Sequence, residues 1–287
     1  MSTLFDGLSL GSIYALIALG YTMVYGIAKL LNFAHGDVIM VGAYAVLTTI
    51  GLLGSPVLAI VVAVIACCAL GIVIERVAYR PLRGASPLAV LITAIGVSYF
   101  LQSLAQLIFG EQTRPITLWS LPPVTIGSAT VRASSIITLA VAAVIMVALA
   151  LFVAKTRTGR AMIAVSEDRG AAGLMGVNVN RIIMITFAIG SALAACASVF
   201  YLMYIPAVKP TLGSLPGIKA FTAAVIGGIG SIPGAMLGGI LLGVIEKFCL
   251  SIPALAPFTT SIEFSLLILI LLVKPTGLLG KRKREKV

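Results

Sequence analysis

The sequence predicts an all-α protein, a polytopic bundle of membrane-spanning helices with about eight spans plus a short broken or half-helix near residues 218–230. Three observations carry that prediction. Hydrophobic residues make up 60% of the chain and charged residues 10%, against about 45–50% and about 25% in soluble domains. The apolar residues gather in repeated runs near the ~20 residues that cross a hydrocarbon layer. The basic residues fall almost wholly between or beyond those runs.

The runs extend from Leu4 to Gly26, Val38 to Leu53, Val57 to Ile74, Leu88 to Phe109, Ile136 to Ala154, Ile182 to Ile205, Ala235 to Leu250 and Ile262 to Val273. A ninth, Ile218 to Ile229, is too short to span as a regular helix and stops at the turn sequence Gly230-Ser231-Ile232-Pro233-Gly234. Met1-Ser2-Thr3-Leu4 carries no basic region of the kind that opens a cleaved leader, so the first run is expected to be retained. No linker divides residues 1–287, which read as one membrane domain with a loop at 155–181 and a basic tail at 274–287.

Orientation follows from lysine and arginine, which cytoplasmic loops retain. Lys29; Arg76, Arg80 and Arg83; Lys155, Arg157, Arg160, Arg169 and Arg181; and Lys274, Lys281, Arg282, Lys283, Arg284 and Lys286 are placed inside. The Gly110–Ala133 loop, poor in charge, is placed outside, as are the first residues. Ile205 is then outside and the tail inside, which requires an odd number of crossings between them. The formal charge of +11 is thus read as a topology signal and not as a nucleic-acid surface.

Candidate pathway residues are the polar groups inside the runs. Ser98, Gln102 and Gln106 recur every fourth residue and share one side of a helix, where they bond to neighbouring helices or line a wet path. Tyr14 and Tyr21 lie deep in the first run, Thr222 in the short segment, and Glu246 at the end of the seventh run. Glu246, Lys247 and Glu263 are charges at costly positions. Adjacent helix residues point apart, so Glu246 and Lys247 each need another partner.

Between the first two runs, Leu31-Asn32-Phe33-Ala34-His35-Gly36-Asp37 holds the one histidine. Either Asn32 or Asp37 caps a helix while His35 bonds a carbonyl, or Asn32 and His35 form a polar break at the cytoplasmic mouth of the path. A zinc site or a nucleophilic triad lacks partners, since the cysteines lie in apolar segments and no serine sits in a GxSxG turn, Gly7-Leu8-Ser9-Leu10-Gly11 lying inside the first apolar run. Gly227, Gly228, Gly230, Gly234 and Gly238 are either flexing points or close-packing positions. Gly7 with Gly11, and Gly239 with Gly243, show the same small-residue spacing.

The 27-residue loop from Lys155 to Arg181 is long for a connector and is expected to hold a short helix that starts near Glu167 and Asp168. With Arg169, Ala171, Ala172, Leu174, Met175 and Gly176 it is predicted to offer a small apolar docking patch to another subunit.

At this loop the chain resembles the branched-chain amino acid permease family of ABC importers, of the type that pairs with a second related permease. Gly170-Ala171-Ala172, three residues, then Gly176 has the spacing of the loop by which importer permeases engage their ATPases, with Gly170 where that signature has glutamate. Longer stretches are similar as well: SIYALIALGYTMVYG at Ser12–Gly26, LNFAHGD at Leu31–Asp37, ERVAYRPLR at Glu75–Arg83, GIKAFTAAVIGGIGSIPGA at Gly217–Ala235, and the KPTGLLG tail. The resemblance implies a multi-pass permease of the bacterial inner membrane that passes leucine, isoleucine or valine from an extracytoplasmic binding protein. It implies two cytoplasmic ABC ATPase subunits and a second homologous permease, and no nucleic acid. The chain has no GxxxxGK[ST] loop, so it is expected to be no enzyme and to bind no cofactor or metal, with ATP and Mg on the partners. A urea or short-amide importer of the same family, and a stand-alone channel or secondary transporter with a re-entrant Gly227–Gly234 segment, are the alternatives.

Overall fold

The computed structural model describes residues 2–119, 122–126 and 129–280. Lys281, Arg282, Lys283, Arg284 and Lys286 of the predicted inner tail lie outside them.

Eight helices among the described residues are long and apolar enough to cross a membrane. They are α1 (Ser2–Ala28), α2 (His35–Leu53), α3 (Pro56–Ile74, prolonged by a π turn at Glu75–Tyr79), α4 (Pro87–Phe109), α5 (Ala133–Lys155), α8 (Val179–Tyr204), α10 (Ile232–Ser251) and α11 (Thr259–Val273, preceded by a 3₁₀ turn at Ala256–Phe258). Helices α6 (Arg157–Glu167) and α7 (Arg169–Leu174) occupy the long loop, and α9 (Ser214–Gly227) is the short segment. Several starts are written locally. Ser55 before Pro56 and Ser86 before Pro87 cap α3 and α4, accepting from Leu58 N–H and Ala89 N–H. Ser231 does the same for Gly234 ahead of α10, and proline suits a first turn that has no N–H partner to lose.

Helix α1 is the axis of the bundle, with 89% of its apolar window buried against 22% in α4 and in α5. It packs on α10, α8, α9 and α5. Glycine permits the α1–α10 approach: a Cβ on Gly11 would stand 2.7 Å from Ile240 Cα, and one on Gly7 3.0 Å from Val244 Cα. Without a hydrophobic force between helices in lipid, such backbone contact is what holds the pair. The outer helices keep apolar residues on their exposed sides, Val61 and Ile65 in α3, Ile92 and Leu107 in α4, Val144 and Val147 in α5. That pattern suits hydrocarbon as solvent.

The short segment crosses as a broken passage. On leaving α8 the chain forms β4 (Ala207–Val208), which pairs antiparallel with β1 (Arg114–Pro115) of the loop assigned to the outer face. That loop also holds the hairpin of β2 (Val124–Ile126) and β3 (Ala129–Val131). At the far end of α9 the chain has reached the opposite face. Leu278 and Leu279, beyond α11, donate to the carbonyls of Ile226 at 2.8 Å and Gly227 at 2.9 Å, and Gly230 lies against Gly26 near the end of α1. Only part of this passage is helical: the fourteen residues of α9 span about 21 Å at ~1.5 Å each. The odd number of crossings demanded by the basic loops is met by α9, α10 and α11. Helix α9 starts at Ser214, earlier than the predicted 218, because Pro216 sits in the first turn, where its missing N–H removes no intrahelical bond.

Candidate functional site

Two helices begin inside the bundle and meet there. Lys29, at φ 53°, ends α1 in a left-handed conformation, and residues 30–34 return the chain to the interior. Helix α2 then starts beside the midsection of α1, with the His35 ring against Gly20. Helix α9 starts at the same level, and the backbones of Gly36 and Gly213 touch: a Cβ on Gly36 would lie 2.5 Å from the Gly213 carbonyl oxygen. Any side chain at either position would push the two helix starts apart.

This junction, closed on a third side by α4, borders a cavity of about 240 Å³. One wall is polar. Gln102 Nε2 donates to Asp37 Oδ1 at 2.9 Å and lies 3.2 Å from Ser98 Oγ and 3.3 Å from Ser214 Oγ; Ser98 also bonds the Asp37 carboxylate. Phe33, Ile95 and Ile218 add apolar surface to the lining. Asp37 is 2% exposed, and no ion pair among the described residues involves it.

Helix α9 also takes part in a second polar cluster of different composition. Lys219 of α9 is 4% exposed and extends its ammonium between two carboxylates, 2.8 Å from Glu246 of α10 and 3.1 Å from Glu263 of α11. Tyr14 of α1 donates to Glu246 Oε2 at 2.8 Å. Four helices are tied at one point. Lys247 turns elsewhere, its ammonium 4.7 Å from the centre of the Tyr204 ring, a cation–π contact.

At the face that carries the basic loops, α6 and α7 meet at Asp168, whose carboxylate accepts from Ala171 N–H at 3.0 Å and caps α7. The loop thus folds as two helices, where one was predicted; Glu167 ends the first and Asp168 starts the second because the cap breaks the run between them. Ala172 is 4% exposed and packs inward, which corrects its place in the predicted docking patch. Leu174 and Met175 are 91% and 85% exposed. Arg169 does not face outward either: its guanidinium donates to the Ala28 carbonyl at the end of α1. Partial burial and the nearby Arg83 charge hold its pKa below the usual arginine range. Gly176, at φ 83°, closes the loop before α8.

A family model described as branched-chain amino acid transport system / permease component matches residues 3–273. The chain belongs to this family. The high-affinity branched-chain amino acid transport system permease protein BraD of Pseudomonas aeruginosa is 45% identical, over 100% of this chain and 98% of BraD. The permease proteins LivH of Salmonella typhimurium and of Escherichia coli are 45% and 42% identical, each over 100% of this chain and 97% of theirs. A chain of the solved structure of PsaBC from Streptococcus pneumoniae in complex with Fab superposes with a TM-score of 0.51 at 15% identity, over 96% of this chain and 93% of that one, a likeness of fold.

Within the permease the predicted pathway residues separate into groups. Tyr21, Ser98 and Gln102 border the cavity, whereas Gln106, one turn beyond, and Thr222, buried in α9, do not. Tyr14 and Glu246 belong to the ionic cluster. Asn32 accepts from the Tyr79 hydroxyl at 3.0 Å, joining the loop after α1 to the π turn. His35 is buried edge-on to Tyr21 with ring centres 4.8 Å apart. The capping role expected of Asn32 or Asp37 falls to neither: α2 is preceded by Ala34 without a side-chain cap, because Asn32 is held by Tyr79 and Asp37 already lies inside the first turn, turned toward Gln102. Among the glycines, Gly234 lies against Gly227, Gly238 against Ala223, and Gly228 against Gly280, all as close backbone packing. Sequence reasoning missed Asp37 and Ser214 as cavity groups and Lys219 as the partner that Glu246 and Glu263 required.

Proposed function

We propose that this permease is the translocation subunit of an ABC importer in the bacterial inner membrane, carrying leucine, isoleucine or valine handed over by an extracytoplasmic binding protein. ATP and Mg act on two cytoplasmic ATPase subunits, and a second homologous permease completes the pore. The observation that carries this reading is end-to-end similarity to permeases named for that transport. The half-polar, half-apolar cavity supports it, since a branched aliphatic amino acid has one face of each kind.

Exposed Leu174 and Met175 would seat in an ATPase cleft. Closure of the ATPases would move α7, and Arg169 transmits that movement to the end of α1 through the Ala28 carbonyl. Residues 29–36 connect that point directly to the Gly36–Gly213 contact, so a shift of α1 alters the cavity where both interior helices start. No hydrolytic group in this chain is needed for such a cycle.

Reconstitution tests the proposal. Proteoliposomes holding both permeases and both ATPases are expected to take up leucine only with loaded binding protein and ATP. Uptake of urea in its place would assign the chain to an amide importer. Uptake without the ATPases would make it a channel or secondary carrier and overturn the reading.

A further inference from the structure

We propose that Asp37 is the group in the transmembrane path that receives the ammonium of the passing cargo, which makes the interior of this permease selective for primary amines. The inference rests on the transport reading above and names the chemistry of its interior site.

A carboxylate out of contact with water is retained only when a cation or several strong donors compensate it. Asp37 has donors, the Gln102 amide, the Ser98 hydroxyl and its own backbone N–H, but they are neutral, and no ion pair among the described residues reaches it. The permease compensates its other deep carboxylates, Glu246 and Glu263, with Lys219. Asp37 instead lines a cavity of about 240 Å³. An alkylammonium entering it would present three donors to Asp37, Ser98 and Ser214, acceptors gathered around Gln102, while its aliphatic part met the apolar lining of Phe33, Ile95 and Ile218. Gln102, donating to Asp37 and lying beside both serines, holds these acceptors in place before the cargo arrives. An uncharged amide could donate to the carboxylate but would form no ion pair there.

The test compares leucine uptake by the complete reconstituted importer, with saturating loaded binding protein, for wild type and Asp37→Asn. The substitution keeps shape and one acceptor while removing the charge. The initial uptake rate is expected to fall roughly 10- to 100-fold, the range for losing a charged hydrogen bond, while membrane insertion, subunit assembly and binding-protein-stimulated ATP hydrolysis persist. Asp37→Glu is expected to retain most of the uptake. In Asp37→Asn/Gln102→Glu the carboxylate moves to the other end of the 2.9 Å hydrogen bond, and uptake should return to a large part of wild type, which repair of packing alone would not achieve. Wild-type uptake by Asp37→Asn, or an assembled double variant with no recovery, would overturn the proposal. If wild type itself carries urea and not leucine, the transport reading fails first; if wild type and Asp37→Asn carry leucine equally, only the amine site fails.

Discussion

The interior of this bundle holds two buried polar sites that share helix α9, and they solve the problem of charge in opposite ways. At Lys219, one buried ammonium is paired with Glu246 and Glu263, and Tyr14 donates to Glu246. At Asp37, a buried carboxylate is held by neutral donors at the edge of a cavity. The first arrangement joins α1, α9, α10 and α11 and suits a fixed brace. The second leaves a charge uncompensated beside a cavity, which suits a site meant to be occupied in passing.

The sharpest way to break this comparison is to remove the brace. Lys219→Met leaves two buried carboxylates facing each other, and truncating one partner of a buried pair costs about 3–5 kcal/mol. The variant is expected to lose most of its yield and to unfold at markedly lower temperature in detergent. Neutralising the whole cluster, Lys219→Met with Glu246→Gln and Glu263→Gln, should recover much of that loss, because no unpaired charge remains. Recovery measured by thermal unfolding would identify the cluster as a brace; persistence of the defect would show that its charges act in some other way.

Next in size is the contact between the interior helix starts. Gly36→Val places a branched side chain where a single Cβ already meets the Gly213 carbonyl oxygen at 2.5 Å. Overpacking of this kind costs about 1–3 kcal/mol. Uptake should suffer more than stability, since the separation opens at the cavity itself. Thermal unfolding and transport measured on the same preparation separate the two effects.

Asp37→Asn should fall at the small end for stability, within about 1 kcal/mol of wild type and on either side of it. The amide keeps an acceptor for Gln102, and the lost charge had no cation to miss. The contrast with Lys219→Met is the comparison in numerical form. An unfolding temperature that drops as far for Asp37→Asn as for Lys219→Met would make both sites structural.

The sequence made the bundle legible because hydrophobic run length and the placement of arginine and lysine are local properties. It also marked Glu246 and Glu263 as charges in need of partners. It did not disclose Lys219, although a lysine within an apolar run was a signal available to be read, because its partners lie 27 and 44 residues away and only the packing of α9 on α10 and α11 brings them together. Asp37 was hidden for a different reason. An aspartate beside a helix start is ordinarily a cap, and nothing in the local sequence reveals that this start lies inside the bundle facing Gln102. Ala172 shows the same limit on a smaller scale: composition placed it in an apolar patch, but which side of a short helix meets its own protein is decided by the neighbours.

The smallest expected effect on stability belongs to the inner face. Leu174 and Met175 make almost no contact within the chain, so Leu174→Asp with Met175→Asp should change the unfolding free energy by no more than about 0.5 kcal/mol, as for other surface positions. ATPase association should respond differently. An apolar anchor at the centre of an interface contributes about 2 kcal/mol or more, so the double substitution is expected to weaken ATPase association at least roughly thirtyfold if one of the two is an anchor and roughly a thousandfold if both are. Ala172 is a poor probe of the same contact, because a larger residue there disturbs the packing of α7 on its own chain. Retention of the ATPase by the Leu174/Met175 variant at wild-type strength would move the docking surface away from α7, and with it the route of force through Arg169 to the helix starts beside Asp37.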